Sequence, residues 1–428
     1  MARRRGFLGG FLLLIAIVIA AVALIPLVPL TPLKASAEQK LSETLGRKVT
    51  IDSARISLLP RPHLILSGLS ADDHAEFGGS VFLKAQKVQT GFDVLEYLSH
   101  RKIVIQSIAL ETPEIYLVKN SHGVWNWSTL GKQNYQKSAR LQVASEAISY
   151  SAAFLISPGP QIANSALREV KIVDATVRSK DYSEQGTPEV LYKHISIEAS
   201  LAPQSTDSGL KTQAKGTVTC NSEEDGQSDQ LVAMLPFDLM IDTSGSVPLS
   251  VSGSIGPGPI ETRNISVGAF NLEGSINTST DSPITGKGRM SIDNLNIRTI
   301  NLSERVARAL KVDQIGDMNP GTALANLETD FQISQGTIHT TGLKIQQIDG
   351  LGDASAQEGS FTIDSSLIVH YPATVVLSPE ATSKVKSLNP ALGLVVTILE
   401  TNNRVSVPID VSGDMRNPAV QVDVSRIF

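Results

Sequence analysis

His194-Ile195-Ser196-Ile197-Glu198-Ala199-Ser200-Leu201 places Ile195, Ile197, Ala199 and Leu201 on one side of an extended chain and mainly polar residues on the other. Successive side chains of a strand point to opposite faces, so this period marks a strand with one face buried and one face wetted. Such strands belong to antiparallel sheets. The same alternation recurs in Phe237, Leu239 and Ile241, in Leu249, Val251, Gly253 and Ile255, and in Phe270, Leu272, Gly274 and Ile276. It returns in Val405, Val407, Ile409 and Val411, and again in Val420, Val422 and Val424. Aromatic residues are only 5%, while Ser, Thr, Gly, Val and Ile are abundant, a mixture that favours strands and turns over helix.

Helical signals are few. The spacing predicts short helices over Val94–Ser99, over Leu302–Leu310 behind an Asn301/Ser303 cap, and over Pro379–Leu388, the last followed across Asn389-Pro390 by Ala391–Leu399. Within Tyr135–Ile156, Leu141, Ala144, Ile148, Ala152 and Leu155 recur at helical spacing before Pro158-Gly159-Pro160, which reads as a linker, solvated or lying as an amphipathic helix on membrane or sheet. Many one-faced strands therefore meet too few helices to cover them. The sheet must pair with itself as a sandwich, close into a barrel, or curl into a trough. A sandwich is the commonest of these. A trough would expose an apolar wall large enough to require a ligand or partner. Alternation does not choose among the three.

Hydrophobic residues are 41% and charged residues 18% of the 428 residues, the balance of a folding chain. The net charge of −5, with no basic stripe along the body, speaks against nucleic acid as a partner. Cys220 is the sole cysteine, so no internal disulfide can form, and it reads as a small core residue.

Arg3-Arg4-Arg5 precede an uncharged, mostly apolar run from Gly6 to Leu33. About 20 apolar residues suffice for a membrane-spanning helix, so the run predicts one span, with the part bearing Pro26, Pro29 and Pro32 extended. The three arginines stay on the cytoplasmic side. Ala35-Ser36-Ala37 offers a rival reading as a cleavage site, but the apolar run exceeds the roughly 7–15 residues of a secretory signal. Both readings send residues 38–428 out of the cytoplasm.

No catalytic or metal-binding pattern emerges. His63, His74, His100, His122, His194, His339 and His370 form no H-E-x-x-H and no i, i+4 ligand pair. Gly286-Lys287-Gly288 lacks the upstream glycine and the following Ser/Thr of a phosphate loop, and Gly256-Pro257-Gly258-Pro259 reads as a turn. No G-x-S-x-G elbow occurs. Asp72-Asp73 reads as a solvated pair in a turn. The chain is therefore expected to be no enzyme and to carry no cofactor or metal.

A further set of residues does have a recognisable order. Gly46-Arg47-Lys48-Val49, then Pro60-Arg61-Pro62, Pro113-Glu114-Ile115 and Gly123-Val124-Trp125-Asn126-Trp127 resemble the N-terminal region of the AsmA family of bacterial envelope proteins. Trp125 and Trp127 are the two tryptophans of the chain; at i and i+2 they are expected on one side of a strand, plugging the end of a sheet or meeting a lipid interface or a sugar. Ala166–Val177 followed by Asp181-Tyr182, where a strand ends in an exposed turn that leads into Ile195, and Val251–Pro257 resemble a second module of that family. Gly288–Leu310, Thr329–Gly336 and Val407–Pro418 resemble a C-terminal one.

The resemblance implies a mostly β fold: an N-terminal transmembrane helix, then an elongated, curled antiparallel β-sheet forming a groove, with a few short helices. The expected division is residues 1–33 for cytoplasmic tip and span, 34–131 for the first module, 132–165 for the linker, 166–285 for the middle module and 286–428 for the last. It implies a single-pass protein of the bacterial inner membrane with its bulk in the periplasm. The groove would hold phospholipid acyl chains, lined by Val88, Phe92, Ile195, Ile197, Val251, Ile255, Val407 and Ile409. A link to phospholipid homeostasis and outer-membrane biogenesis follows, with an outer-membrane or periplasmic protein as a further partner. The alternative is a scaffold or regulator of outer-membrane protein assembly that carries no lipid. Roughly 20 strands at about 4.8 Å give at most about 100 Å, which suits a shuttle, a receiver or a regulator better than an envelope-spanning bridge.

Overall fold

The structure is a computed structural model that describes residues 33–57, 63–93, 105–129, 167–183, 189–206, 209–223, 230–242, 249–278, 285–310, 321–334, 337–362, 368–388, 400–414 and 417–426. Among them no helix is long and apolar enough to cross a membrane. The expected span with Arg3, Arg4 and Arg5, the Pro60-Arg61-Pro62 motif, the helices over 94–99 and 391–399, and the linker over 135–156 lie outside the described residues. The fold is mostly β. By compactness the chain divides into an N-terminal unit, Arg3–Gly253 with Asn277–Pro283, and a C-terminal unit, Ser254–Ile276 with Ile284–Phe428.

The N-terminal unit opens with helix α1 (Leu33–Leu45), which buries Ala37 and Leu41 and sits against β1 (Val49–Thr50) and β2 (Ser53–Ser57). Ser42 and Glu38 of α1 accept hydrogen bonds from the backbone N–H groups of Val49 and Ile51, which ties the helix to the sheet. The strands that follow are β3 (His63–Asp72), β4 (Val81–Phe92), β5 (Ile105–Lys119), β6 (Glu169–Asp181), β7 (Val190–Thr206), β8 (Gly209–Ser222) and β9 (Leu231–Asp242). They form an open ladder in chain order from β2 to β9, with β1 also on β3. One step departs from the all-antiparallel expectation: β5 and β6 run parallel, Leu110 beside Ile172. A parallel pair needs a crossover of a dozen or more residues, and the stretch from 120 to 168 supplies it.

A bulge line crosses five of these strands. Gly68 on β3, Thr112 on β5, Asp174 on β6 and His194 on β7 all have positive φ, between 45° and 64°. Registers place Gly68 beside Gln86 of β4, and the line continues through Thr112 and Asp174 to His194, whose imidazole Nδ1 lies 2.7 Å from the Asp174 carboxylate. On each strand the buried set changes phase there: Leu66 then Leu69, Val88 then Ala85, Leu110 then Pro113, Ile172 then Ala175, Ile197 and Ile195 then Tyr192. Asp174 lies inside its strand. It is the extra residue of a bulge, and β6 continues through it to Asp181.

In the C-terminal unit, β10 (Leu249–Thr262), which begins before the unit boundary, β11 (Ile265–Thr278) and β12 (Thr285–Ile297) follow one another. The antiparallel ladder continues through β13 (Thr322–Ser334), β14 (Thr337–Ile348), β15 (Gly352–Thr362), β16 (Ile368–Leu377), β18 (Arg404–Asp414) and β19 (Ala419–Val422), with the short β17 (Glu400–Thr401) also on β18.

Helix α2 (Leu302–Ala309) is capped by Asn301, as expected, whose side chain accepts the Glu304 N–H. Its Leu302 N–H bonds Thr322 at the start of β13, its Ser303 hydroxyl bonds the Asp349 carbonyl, and Arg305 bonds the Pro418 carbonyl and Asn417 beside β19. Five strand spacings separate β13 from β19, about 24 Å if flat. Eight helical residues reach about 12 Å. The ladder must therefore curl. Helix α3 (Pro379–Leu388), also as expected, rests on β16 and β18 and buries Ala381 and Val385.

Candidate functional site

The expected lining residues fall on three settings. Val88 pairs with Leu66 on β3 and Leu110 on β5, and that row continues through Ile172, Ile197 and Val218 to Leu235 on β9. Every member of this seven-strand row is at most 7% exposed. The neighbouring row through Ala175, Ile195, Cys220 and Ala233 is equally buried, and Phe92 is 8% exposed. The opposite face carries cross-strand ion pairs such as Lys87–Glu111, Lys171–Glu198 and Lys215–Asp238, and on β9 the exposed Val232 and Met234. The apolar face of β3–β9 is thus closed to solvent. Burial pushes the Cys220 thiol up to about 11, as an apolar surrounding must.

Val251 and Ile255 are half-buried on β10. Val407 and Ile409 lie on β18 opposite Val375 and Ala373 of β16, all at most 7% exposed, in the part of the sheet that carries α3.

Between these settings the C-terminal unit carries an apolar strip that sequence reading did not pick out. Ile292 of β12, Leu327 of β13 and Ile345 of β14 are cross-strand neighbours, and so are Ile333, Ile338 and Phe361 of β13, β14 and β15. Together with Met290, Phe331 and Leu343 they are half-buried rather than buried. No described residue on this face of β12–β15 between these two rows is charged; the charges, including the Arg289–Asp330 pair, stand on the other face. Glycines shape its floor. A Cβ on Gly288 would meet the Phe331 ring at 2.9 Å, so the ring lies over the glycine. The Tyr371 ring covers Gly359 in the same manner, and its hydroxyl meets Thr340 at 3.1 Å. Gly342, at φ +64, is a bulge that shifts the phase of β14 between Ile338 and Leu343. That shift hid the strip, because the alternation on β14 breaks in its middle.

The N-terminal motif residues assemble into a buried polar cluster. The Arg47 guanidinium pairs with the Asp73 carboxylate, donates to the Asn126 carbonyl at 2.5 Å and to the Thr129 hydroxyl at 2.9 Å, and lies 4.3 Å above the Phe82 ring. Asn126 donates to Asp73 and to the Tyr116 carbonyl and accepts the Val118 N–H. Burial lowers the Arg47 pKa, against the opposing pull of Asp73. Asp73, read from sequence as solvated, is 9% exposed and completes the ion pair. Trp125 and Trp127 do not share a strand face: Trp125 forms an isolated bridge with Lys119, and Asn126–Thr129 is a turn of 3₁₀ helix. Both indoles are half-exposed, with the Lys119 ammonium 6.0 Å from the Trp125 ring. A cavity of about 250 Å³ lies beside the cluster, lined by Gly46, Arg47, Lys48, Asp72, Asp73, His74 and Ala75.

Among the described residues no group of three or more His, Cys, Asp or Glu is placed to hold a metal ion. What the described residues offer is apolar surface and a buried polar clamp. No curated protein matches the chain. The sequence model of the AsmA family matches residues 2–255, which includes the Arg47–Asn126 clamp and the whole ladder from β1 to β9. The chain belongs to the AsmA family.

Proposed function

We propose that this protein binds phospholipid acyl chains on an apolar β-sheet face and takes part in phospholipid transport and outer-membrane biogenesis. In this reading it is a single-pass inner-membrane protein with its bulk in the periplasm, and it is a binding protein rather than an enzyme. The observation that carries the reading is the half-buried strip of β12–β15, apolar across four strands and uncharged. An apolar patch of that extent is costly to leave in water and calls for an apolar partner. Each acyl methylene moved onto it contributes about 0.8 kcal/mol, so affinity does not need polar recognition.

A second reading, a scaffold or regulator of outer-membrane protein assembly that carries no lipid, is favoured by the closed face of β3–β9. The two readings part in one experiment. The full chain is purified in mild detergent and its bound lipid measured by native mass spectrometry and extraction. Co-purifying phospholipid, lost in Leu327→Asp/Ile345→Asp while the thermal unfolding transition persists, supports the lipid reading. A lipid-free chain that also fails to take up fluorescent phospholipid leaves the scaffold.

A further inference from the structure

The two units treat their apolar faces differently. From Leu66 to Leu235 the face of β3–β9 is at most 7% exposed in its central row. On β12–β15 the corresponding side chains stay half-open. A lipid-filled surface must empty and refill, so its lining has to be reachable, and a row at most 7% exposed offers a chain almost no reachable surface.

We infer that acyl chains are held only on the C-terminal strip, and that the apolar face of β3–β9 is a dry scaffold core that carries no lipid. This inference rests on the lipid reading above. The strip has the dimensions for a small load. From Gly286 to Ile292 it runs six residues, about 20 Å, and three strand spacings from β12 to β15 give about 14 Å. One leaflet of a hydrocarbon core about 30 Å thick is filled by chains about 15 Å long. The strip therefore takes the tails of one phospholipid, or a few at most, laid along the strands. The absence of charge on that face selects hydrocarbon over a charged ligand. The protein then exchanges single lipids instead of conducting a continuous file along its whole sheet.

The test uses the native full chain. It is reconstituted with a phospholipid bearing a photoreactive diazirine in its acyl chain, irradiated, and the adducts mapped by peptide mass spectrometry. Adducts confined to Thr285–Thr362 support the inference. Adducts within Leu64–Leu239 overturn it and leave the lipid reading standing. Adducts nowhere in the chain overturn the lipid reading and this inference with it. A second measurement uses the native thiol of the N-terminal unit. Cys220, 2% exposed and paired with Ile195 on the closed face, reports whether an apolar reagent can enter there. An alkyl maleimide is expected to label it at least ~100-fold more slowly than the thiol of a Cys220→Ser/Ile345→Cys chain. Comparable rates in folded protein would overturn the dry core.

Discussion

Arg47 and Asp73, 26 positions apart, form an ion pair whose side chains are 1% and 0% exposed. Neither can be removed alone without leaving a buried charge. Arg47→Met is expected to cost about 3–5 kcal/mol, while Arg47→Met/Asp73→Leu should recover much of that loss. Urea unfolding of the two single variants and the double variant measures the coupling. Additive losses would mean that the pair does not act as a unit.

Thr112 holds φ +45, a conformation that a β-branched residue adopts only under strain, and its buried hydroxyl has no hydrogen-bond partner. Thr112→Gly removes both faults and is expected to raise stability by about 1 kcal/mol. A fall in the unfolding midpoint would show that the threonine methyl contributes more packing than the strain costs.

Gly216 lies beneath Phe237 in the N-terminal sheet. A Cβ there would stand 1.9 Å from the Glu198 carbonyl oxygen and 2.7 Å from the Phe237 ring, so Gly216→Ala must displace backbone. A loss of about 2–3 kcal/mol is expected, because the backbone cannot swing aside as a side-chain tip could. The same substitution at Gly342, where nothing lies within 4 Å, meets no contact and costs only the left-handed φ, about 1 kcal/mol. Thermal unfolding of both variants gives the comparison.

His74 has its pKa lowered below 6.5, first by burial and then by the charge of Arg47. In the folded chain it resists the proton that the unfolded chain accepts. Its contribution to stability is therefore full above about pH 6.5 and is lost as pH falls through its folded value. His74→Gln should unfold with a flatter dependence between about pH 7.5 and 5.5. An unchanged slope would assign the acid sensitivity to other groups.

The sequence reveals the β class, the capped helix at Leu302 and the helix at Pro379 because each depends on local pattern. The apolar faces of β7 and β18 were legible for the same reason. What it hid depends on contacts between distant segments. Asp73 resembles any turn aspartate until Arg47 and Asn126 arrive from 26 and 53 residues away. The bulge at Asp174 has no sequence signature of its own, because a bulge and a turn both interrupt the period and both favour Asp at positive φ. The strip on β12–β15 escaped because Gly342 shifts the phase on β14, and because exposure depends on what covers a face rather than on what composes it. The parallel step from β5 to β6 has no local signature at all.

The bulge line through Gly68, Thr112, Asp174 and His194 makes strand length a shared property. Deleting Asp174 would keep Val170 and Ile172 inward but turn Ala175 and Val177 to water and bring Thr176 and Arg178 against the closed face. Substitution along that line is limited by the positive φ at each of these four positions, and a gain or loss of one residue on a single strand turns half of it inside out. Five neighbouring segments are thus locked to a common reading frame, and only a concerted change in all of them could move it.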